Sequence, residues 1–137
     1  MARISGPLLD RIDLQVEVPA LSFEDFSAAE ERESSESVRC RVNKARAFAK
    51  ERFEKVSQPA HCNAELSPRD VGRFCLLEKE AEELLRQAYN SLGLSARGHD
   101  RILRVARTIA DLAGSEKVSA AHVAEAIRLR KLDRKYF

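Results

Sequence analysis

Apolar and polar residues alternate over one short stretch near the start of the chain. The apolar positions are Ile12, Leu14, Val16 and Val18. Charged or amide residues separate them, and Pro19 follows. A period of two predicts a β-strand with one buried face. A single strand is not stable alone, and no second pattern of this kind occurs later in the sequence. We therefore expect the sheet of this strand to lie outside this chain.

Further along, the apolar spacing changes to the three and four residues that are typical of helices. A Ser-Pro pair at Ser67 and Pro68 predicts a helix start, and Gly93 and Gly114 are natural helix ends. The predicted helices cover residues 37–53, a short stretch after Ser67, residues 78–92, residues 95–113 and a last segment from Ser119. The fold class is therefore all-α: a bundle of about four main helices after a short extended remnant.

Composition and charge indicate the number of domains and the cellular compartment. The chain has 137 residues, 34% of them charged, and a net charge of +2, which suits one domain. With so small a net charge, any basic patch must be local. The sequence contains no apolar run of membrane-spanning length and no hydrophobic signal segment. We therefore expect a cytoplasmic protein without a membrane partner.

The residue types of common catalytic and metal sites are scattered. Cys40, Cys62 and Cys75 lie far apart, and only His61 beside Cys62 resembles part of a metal site. We expect free, mostly buried thiols in a reducing compartment and no metal. No histidine accompanies a nucleophile motif, so an independent enzyme is not expected. For His122 we expect a partly buried or capping role.

The stretch from Ser95 to Gly114 carries the most informative charges. Its arginines Arg97, Arg101 and Arg104 share one helical side, with Arg107 at the margin. One interpretation is a solvated basic face with Asp100 and Asp111 as local partners. The other is anion binding, since Arg97 lies in the first turn, where backbone N–H groups already attract negative charge. A guanidinium also matches the geometry of a phosphate.

Two long motifs resemble one protein family. "RISGPLLDRIDLQVEVP" and "LSARGHDRILRVARTIADLAG", the latter followed by "VSAAHVAEAIRLRKLD", are similar to the C-terminal part of magnesium-chelatase-related AAA+ ATPases, in particular the ComM/YifB type. The intervening "ESSESVRCRVNKARAFAKERF" also fits. The resemblance implies that residues 1–20 are a remnant of the ATPase core, expected to be poorly ordered alone. It implies that residues 21–137 are a helical lid.

The resemblance also implies roles for three arginines in a longer parent protein. Arg11 would be the arginine finger, reaching the γ-phosphate bound by the neighbouring subunit. Arg97 would be the sensor-2 residue that contacts the phosphates of ATP, and Arg101 is a weaker candidate for the same task. Such roles stabilise charge on a transferring phosphoryl group. The implied cofactors of the parent are ATP and Mg²⁺, neither of them bound tightly by this fragment.

The implied parent is a homo-oligomer, a hexamer, that works as a DNA branch-migration motor or belongs to a chelatase-like assembly. This chain has no G-x-x-x-x-G-K-[ST] sequence and no acidic Walker-B strand, so alone it should not hydrolyse ATP. Two alternatives stay open. One is a stand-alone helical DNA-binding module that uses Arg97, Arg101, Arg104 and Arg128. The other is an interaction module whose apolar strand docks on another protein.

Overall fold

The computed structural model describes residues 11–20 and 33–130. Within these ranges it contains five α-helices and one short 3-10 helix. The α-helices are α1 (Ser35–Phe53), α2 (Pro68–Phe74), α3 (Lys79–Leu92), α4 (Ala96–Leu112) and α5 (Ala120–Arg128). The 3-10 helix covers Asn63–Glu65. The prediction of an all-α fold is confirmed.

Local capping signals set most of the helix boundaries. The Ser67 hydroxyl accepts from the Asp70 N–H at 3.2 Å with Pro68 in the first turn, as the sequence predicts. Gly93 and Gly114 follow α3 and α4 with φ angles of +60° and +66°, the left-handed region that favours glycine. At α5, the His122 Nδ1 accepts from the Ser119 N–H at 3.1 Å, which confirms the capping role.

Helix α4 is the central element of the bundle. It packs against α1, α2, α5 and the 3-10 helix, and α3 completes the domain by packing on α5. Its side chains Ile102, Leu103, Ala106 and Ala110 are buried in the main core. The small alanines allow neighbouring helices to approach closely. In the last helix, the apolar spacing predicts that Val123, Ala124 and Ile127 face inward. Val123 is buried and Ile127 is half-buried, but Ala124 is exposed, so the prediction was wrong for Ala124.

Helix α1 is only partly packed. Residues 33–44 are all exposed, and Ala49 is its single buried residue. The predicted apolar face is therefore covered only in its last turns, where Phe53 packs against the core. Both of its valines, Val38 and Val42, remain more than a third exposed.

The alternating segment differs from the prediction of a strand. In the described part of the chain, residues 12–20 form no strand, and the only bridge is the parallel contact between Leu77 and Val118. The side chain of Gln15 is buried, at 8% exposure, whereas Val18 on the apolar face is 84% exposed. The segment thus turns its polar face toward the domain. The first five residues of the motif from Gly6, which end at Asp10, lie outside the described residues.

None of the helices in the described ranges combines the length and the apolar character that a bilayer-spanning segment requires.

Candidate functional site

The four arginines of α4 lie in four different environments. The first of them is near the N-terminus of the helix. The Ser95 hydroxyl accepts from the Gly98 N–H at 3.0 Å and fixes the first turn. Arg97, the second residue of the helix, is exposed. Within the described ranges its guanidinium makes no hydrogen bond or ion pair. Arg97 is thus a free cation next to the unpaired N–H groups of a helix start.

Arg101 lies one turn further along and is engaged. It donates to the Asp13 carboxylate from the N-terminal segment, and the two residues form an ion pair. The Arg101 side chain is 20% exposed and that of Asp13 is 42% exposed. In this structure Arg101 is therefore occupied by an intramolecular partner.

Arg104 and Arg107 bind backbone carbonyls of this domain. Arg104 donates two hydrogen bonds to the Leu66 carbonyl, at 2.8 and 3.2 Å, and so holds the end of the 3-10 helix against α4. Arg107 is fully buried and donates to the backbone carbonyls of Ser115 and Glu116. The interpretation of a wholly solvated basic face is wrong for these two residues, because their guanidinium groups donate to backbone carbonyls of this domain.

A buried ion cluster joins α1 to α4. The Asp111 carboxylate accepts from Arg52 at 2.6 and 2.8 Å, from Asn63 at 2.8 Å and from Arg107 at 3.1 Å. Burial lowers the pKa of the Arg107 guanidinium, and the charge of Asp111 opposes that effect. Asp111 is thus a local partner of an α4 arginine, as one interpretation of the sequence expected, and that arginine is Arg107, four residues earlier. The pairing of Asp111 with Arg52 joins residues 59 positions apart and therefore depends on the tertiary fold.

The N-terminal segment, residues 11–20, contacts the domain at α4 and at the end of α5. Arg11 is exposed and makes no hydrogen bond or ion pair with the described residues. The Ile12 carbonyl accepts from Arg130 at 3.1 Å, and the Gln15 N–H donates to the Leu129 carbonyl at 2.7 Å. Residues 12–15 are therefore tied to the end of α5 and, through Asp13, to α4.

The cysteines do not form a site. Cys40 and Cys62 are exposed and Cys75 is buried, all three free. The expectation of mostly buried thiols is thus wrong for two of the three. Burial raises the pKa of the Cys75 thiol to about 11, so this thiol is unreactive at neutral pH. In the part of the chain that the structure describes, no group of three His, Cys, Asp or Glu side chains is arranged to hold a metal ion.

Comparison of the sequence with known proteins identifies the family of this chain. The family model described as "Magnesium chelatase, subunit ChlI C-terminal" matches residues 32–130. The chain belongs to this family.

Its relatives are bacterial proteins of greater length. The chain is 41% identical over 133 residues to the competence protein ComM of Haemophilus influenzae. It is 39% identical over 133 residues to the uncharacterized protein YifB of Escherichia coli. In both cases the match covers 96% of this chain and 25% of the relative. The chain thus spans a quarter of the length of these relatives.

Sequence reasoning found some of these groups and missed others. It selected Arg97, Arg101 and Arg11 from motifs, and the structure brings the segment of Arg11 next to the helix of the other two. It did not identify Asp13 as the partner of Arg101, or the role of Arg130. The contacts of Asp13 and Arg130 span 88 and 118 residues of sequence, and no local pattern signals such pairs.

Proposed function

We propose that this chain is the helical lid of a longer AAA+ ATPase of the magnesium-chelatase type, together with the end of its ATPase core. In that protein, Arg97 contacts the phosphates of ATP·Mg²⁺ bound by its own subunit. Arg11 is the arginine finger for the nucleotide of the next subunit in a homo-oligomer, a hexamer. The membership of the chain in the family and its two motifs support this proposal.

The observation that carries the nucleotide role is the difference among the α4 arginines. Arg104 and Arg107 satisfy carbonyls of this domain, and Arg101 is paired with Asp13. Only Arg97 among the four is exposed and has no partner within the described ranges. A cation beside a helix N-terminus is unfavourable for the helix itself. An external anion such as a phosphate gives both the guanidinium and the free N–H groups a partner.

The test of Arg97 is the ATPase activity of the longer protein. We expect Arg97→Ala to raise the KM for ATP and to lower kcat, because a phosphate contact is lost. Arg69→Ala is a matched control, since Arg69 is also exposed and is also the second residue of a serine-capped helix, α2. Equal kinetics for the two variants would overturn the nucleotide role of Arg97.

The test of Arg11 uses mixed oligomers. Arg11→Ala should lower kcat by about a thousandfold or more, the usual contribution of an arginine finger. A finger that acts in trans predicts complementation. Subunits with Arg11→Ala should regain activity when mixed with subunits that keep Arg11 but have an inactivated phosphate loop. Absence of this rescue, with mixed oligomers verified by mass, would contradict a finger in trans.

DNA is the second candidate, as a ligand of the lid and a substrate of the motor, and a feature of α1 favours it. Arg39, Arg46 and Lys50 are exposed and fall within about 40° on the helical wheel. The 14 residues between Glu36 and Glu51 include no carboxylate. The set of arginines considered from the sequence is less suited to DNA, because Arg101 and Arg104 have partners inside the domain.

A salt titration tests DNA binding by this chain. Replacing Arg39, Arg46 and Lys50 by Gln should reduce the slope of log K against log salt by about 2 to 3, one unit for each lost phosphate contact. The double variant Lys79→Gln, Arg86→Gln removes two exposed cations from α3 and should leave the slope unchanged. An unchanged slope in the α1 variant would exclude this face as the DNA contact. The alternative of a protein-interaction module predicts no binding to DNA at all.

A further inference from the structure

Three polar contacts hold residues 12–15 on the domain. Asp13 pairs with Arg101, the Ile12 carbonyl accepts from Arg130, and the Gln15 N–H donates to the Leu129 carbonyl. The apolar side chains of the segment from Leu14 to Val18 are more than half exposed. Ile12 is 37% exposed, but its hydrophobic burial is non-directional and does not select the register of this segment. Directional polar contacts determine its register.

The two residues of the Asp13–Arg101 pair are near neighbours in sequence of Arg11 and Arg97, the arginines of the proposed function. Asp13 is two residues after Arg11 in sequence. Arg101 is four residues after Arg97, so their side chains lie on the same face of α4, one above the other. The ion pair thus links the backbone that carries Arg11 to the helix that carries Arg97.

We propose that Arg101 is a positioning residue: through Asp13 it fixes the segment of Arg11 to α4, so that the placement of α4 over one nucleotide sets the placement of Arg11 at the neighbouring one. This inference rests on the proposed roles of Arg11 and Arg97. It assigns Arg101 a partner within the protein, where the family resemblance alone suggests a phosphate. Coupling of this kind requires that both sites bias the same element, and α4 is that element.

The first experiment measures the anchor in the 137-residue chain itself. The Gln15 amide reports on the segment, because its N–H donates to the Leu129 carbonyl at 2.7 Å. We expect Asp13→Asn and Arg101→Gln to speed hydrogen exchange at this amide by about two- to fivefold, the effect of losing an ion pair at the surface. Arg101→Lys keeps the charge and should retain most of the protection.

Asp100→Asn is the matched control, because Asp100 precedes Arg101 on α4 and its one polar side-chain partner within the described ranges is His99, at 3.3 Å. It should leave exchange at Gln15 unchanged. Unchanged exchange in both Asp13→Asn and Arg101→Gln would overturn the proposal, since the pair would then not hold the segment.

The second experiment measures coupling in the longer protein with its ATPase core. Asp13→Asn and Arg101→Gln should lower kcat by the same factor, about ten- to a hundredfold, as displacement of a catalytic group does. The KM for ATP should stay unchanged, and the double variant should be no worse than either single one. A rise in KM for Arg101→Gln alone would mean that Arg101 contacts the nucleotide itself, which would overturn the positioning role.

Failure of the proposed function gives a different result. If Arg11→Ala leaves kcat unchanged, Arg11 is not a finger and its coupling to α4 fails with it, whatever Asp13→Asn does. The exchange data on Gln15 do not depend on ATPase activity. They decide separately whether Arg101 holds the segment.

Discussion

Removal of the charge on Asp111 is the most incisive test of how this domain is held together. Its side chain is 3% exposed and accepts hydrogen bonds from Arg52, Asn63 and Arg107 at 2.6 to 3.1 Å. Asp111→Asn keeps the size of the side chain. It replaces one acceptor oxygen by an NH₂ donor that faces guanidinium donors, and it leaves two arginines without a counter-charge.

The expected loss follows from the burial of these groups. Breaking a buried ion pair by removing one partner costs about 3–5 kcal/mol. The Arg52 side chain is 10% exposed and can regain some hydration, whereas Arg107 is fully buried. We therefore expect the lower end of that range, about 3 kcal/mol. This is a large share of the 5–15 kcal/mol by which domains are usually stable.

The assay is urea unfolding followed by circular dichroism. With a slope of about 2 kcal/mol per molar urea, the midpoint of Asp111→Asn should fall by about 1.5 M. Asp100→Asn makes the same chemical change on the same helix, at a side chain that is 30% exposed. Its free energy of unfolding should change by less than about 0.5 kcal/mol. Equal midpoints for the two variants would refute the view that this cluster fastens α1 to α4.

Three further predictions concern single side chains. Hydrogen bonds, the strongest from Ser57, hold the pKa of the Asp70 carboxyl below its usual value, so the stability that it contributes is present above about pH 4 and is lost as the pH falls further. Urea midpoints should therefore fall more steeply on acidification for the wild type than for Asp70→Asn, and parallel profiles would contradict this. Burial raises the pKa of the Cys75 thiol to about 11, so iodoacetamide at neutral pH should add to two cysteines in the native chain and to three in urea, as counted by mass spectrometry; a third native adduct would contradict the packing. A Cβ at Gly72 or Gly114 meets no atom within 4 Å, so backbone conformation alone determines the effect of adding one. Gly72→Ala in α2 should raise the free energy of unfolding by up to about 1 kcal/mol, whereas Gly114→Ala, at a φ of +66°, should lower it by about 1–2 kcal/mol. Changes of Tm in the same direction for both variants would count against this reasoning.

The helices were predictable because their signals are local. A serine cap followed by proline at Pro68 and glycines after α3 and α4 act over three or four residues, and these features stand in the sequence itself. The helical period likewise depends only on neighbours along the chain. The exposed length of α1 was not predictable, because an apolar stripe states which face can be buried but not whether a partner covers it.

The candidate site was predictable in part. Motif resemblance selected Arg97 and Arg11, and both are exposed in the structure. It also selected Arg101, whose ion pair with Asp13 depends on residues 88 positions apart. The sequence placed the four α4 arginines on or near one face. Their actual environments range from an exposed guanidinium at Arg97 to a fully buried one at Arg107.

The N-terminal segment shows which features the sequence determines and which features the tertiary structure determines. By itself, the sequence determined the helical fold class, the caps and the alternation of residues 12–18, since these follow from covalent neighbours and backbone preferences. Only the tertiary structure decided that the segment meets the domain through Asp13, Gln15 and the Ile12 carbonyl, while Leu14, Val16 and Val18 stay more than half exposed. The physical reason is that a period of two defines two faces of an extended chain, but the groups on the surface that it contacts determine which face is bound. Here those groups are the guanidinium groups of Arg101 and Arg130 and the carbonyl of Leu129, on α4 and after α5, which only folding brings together.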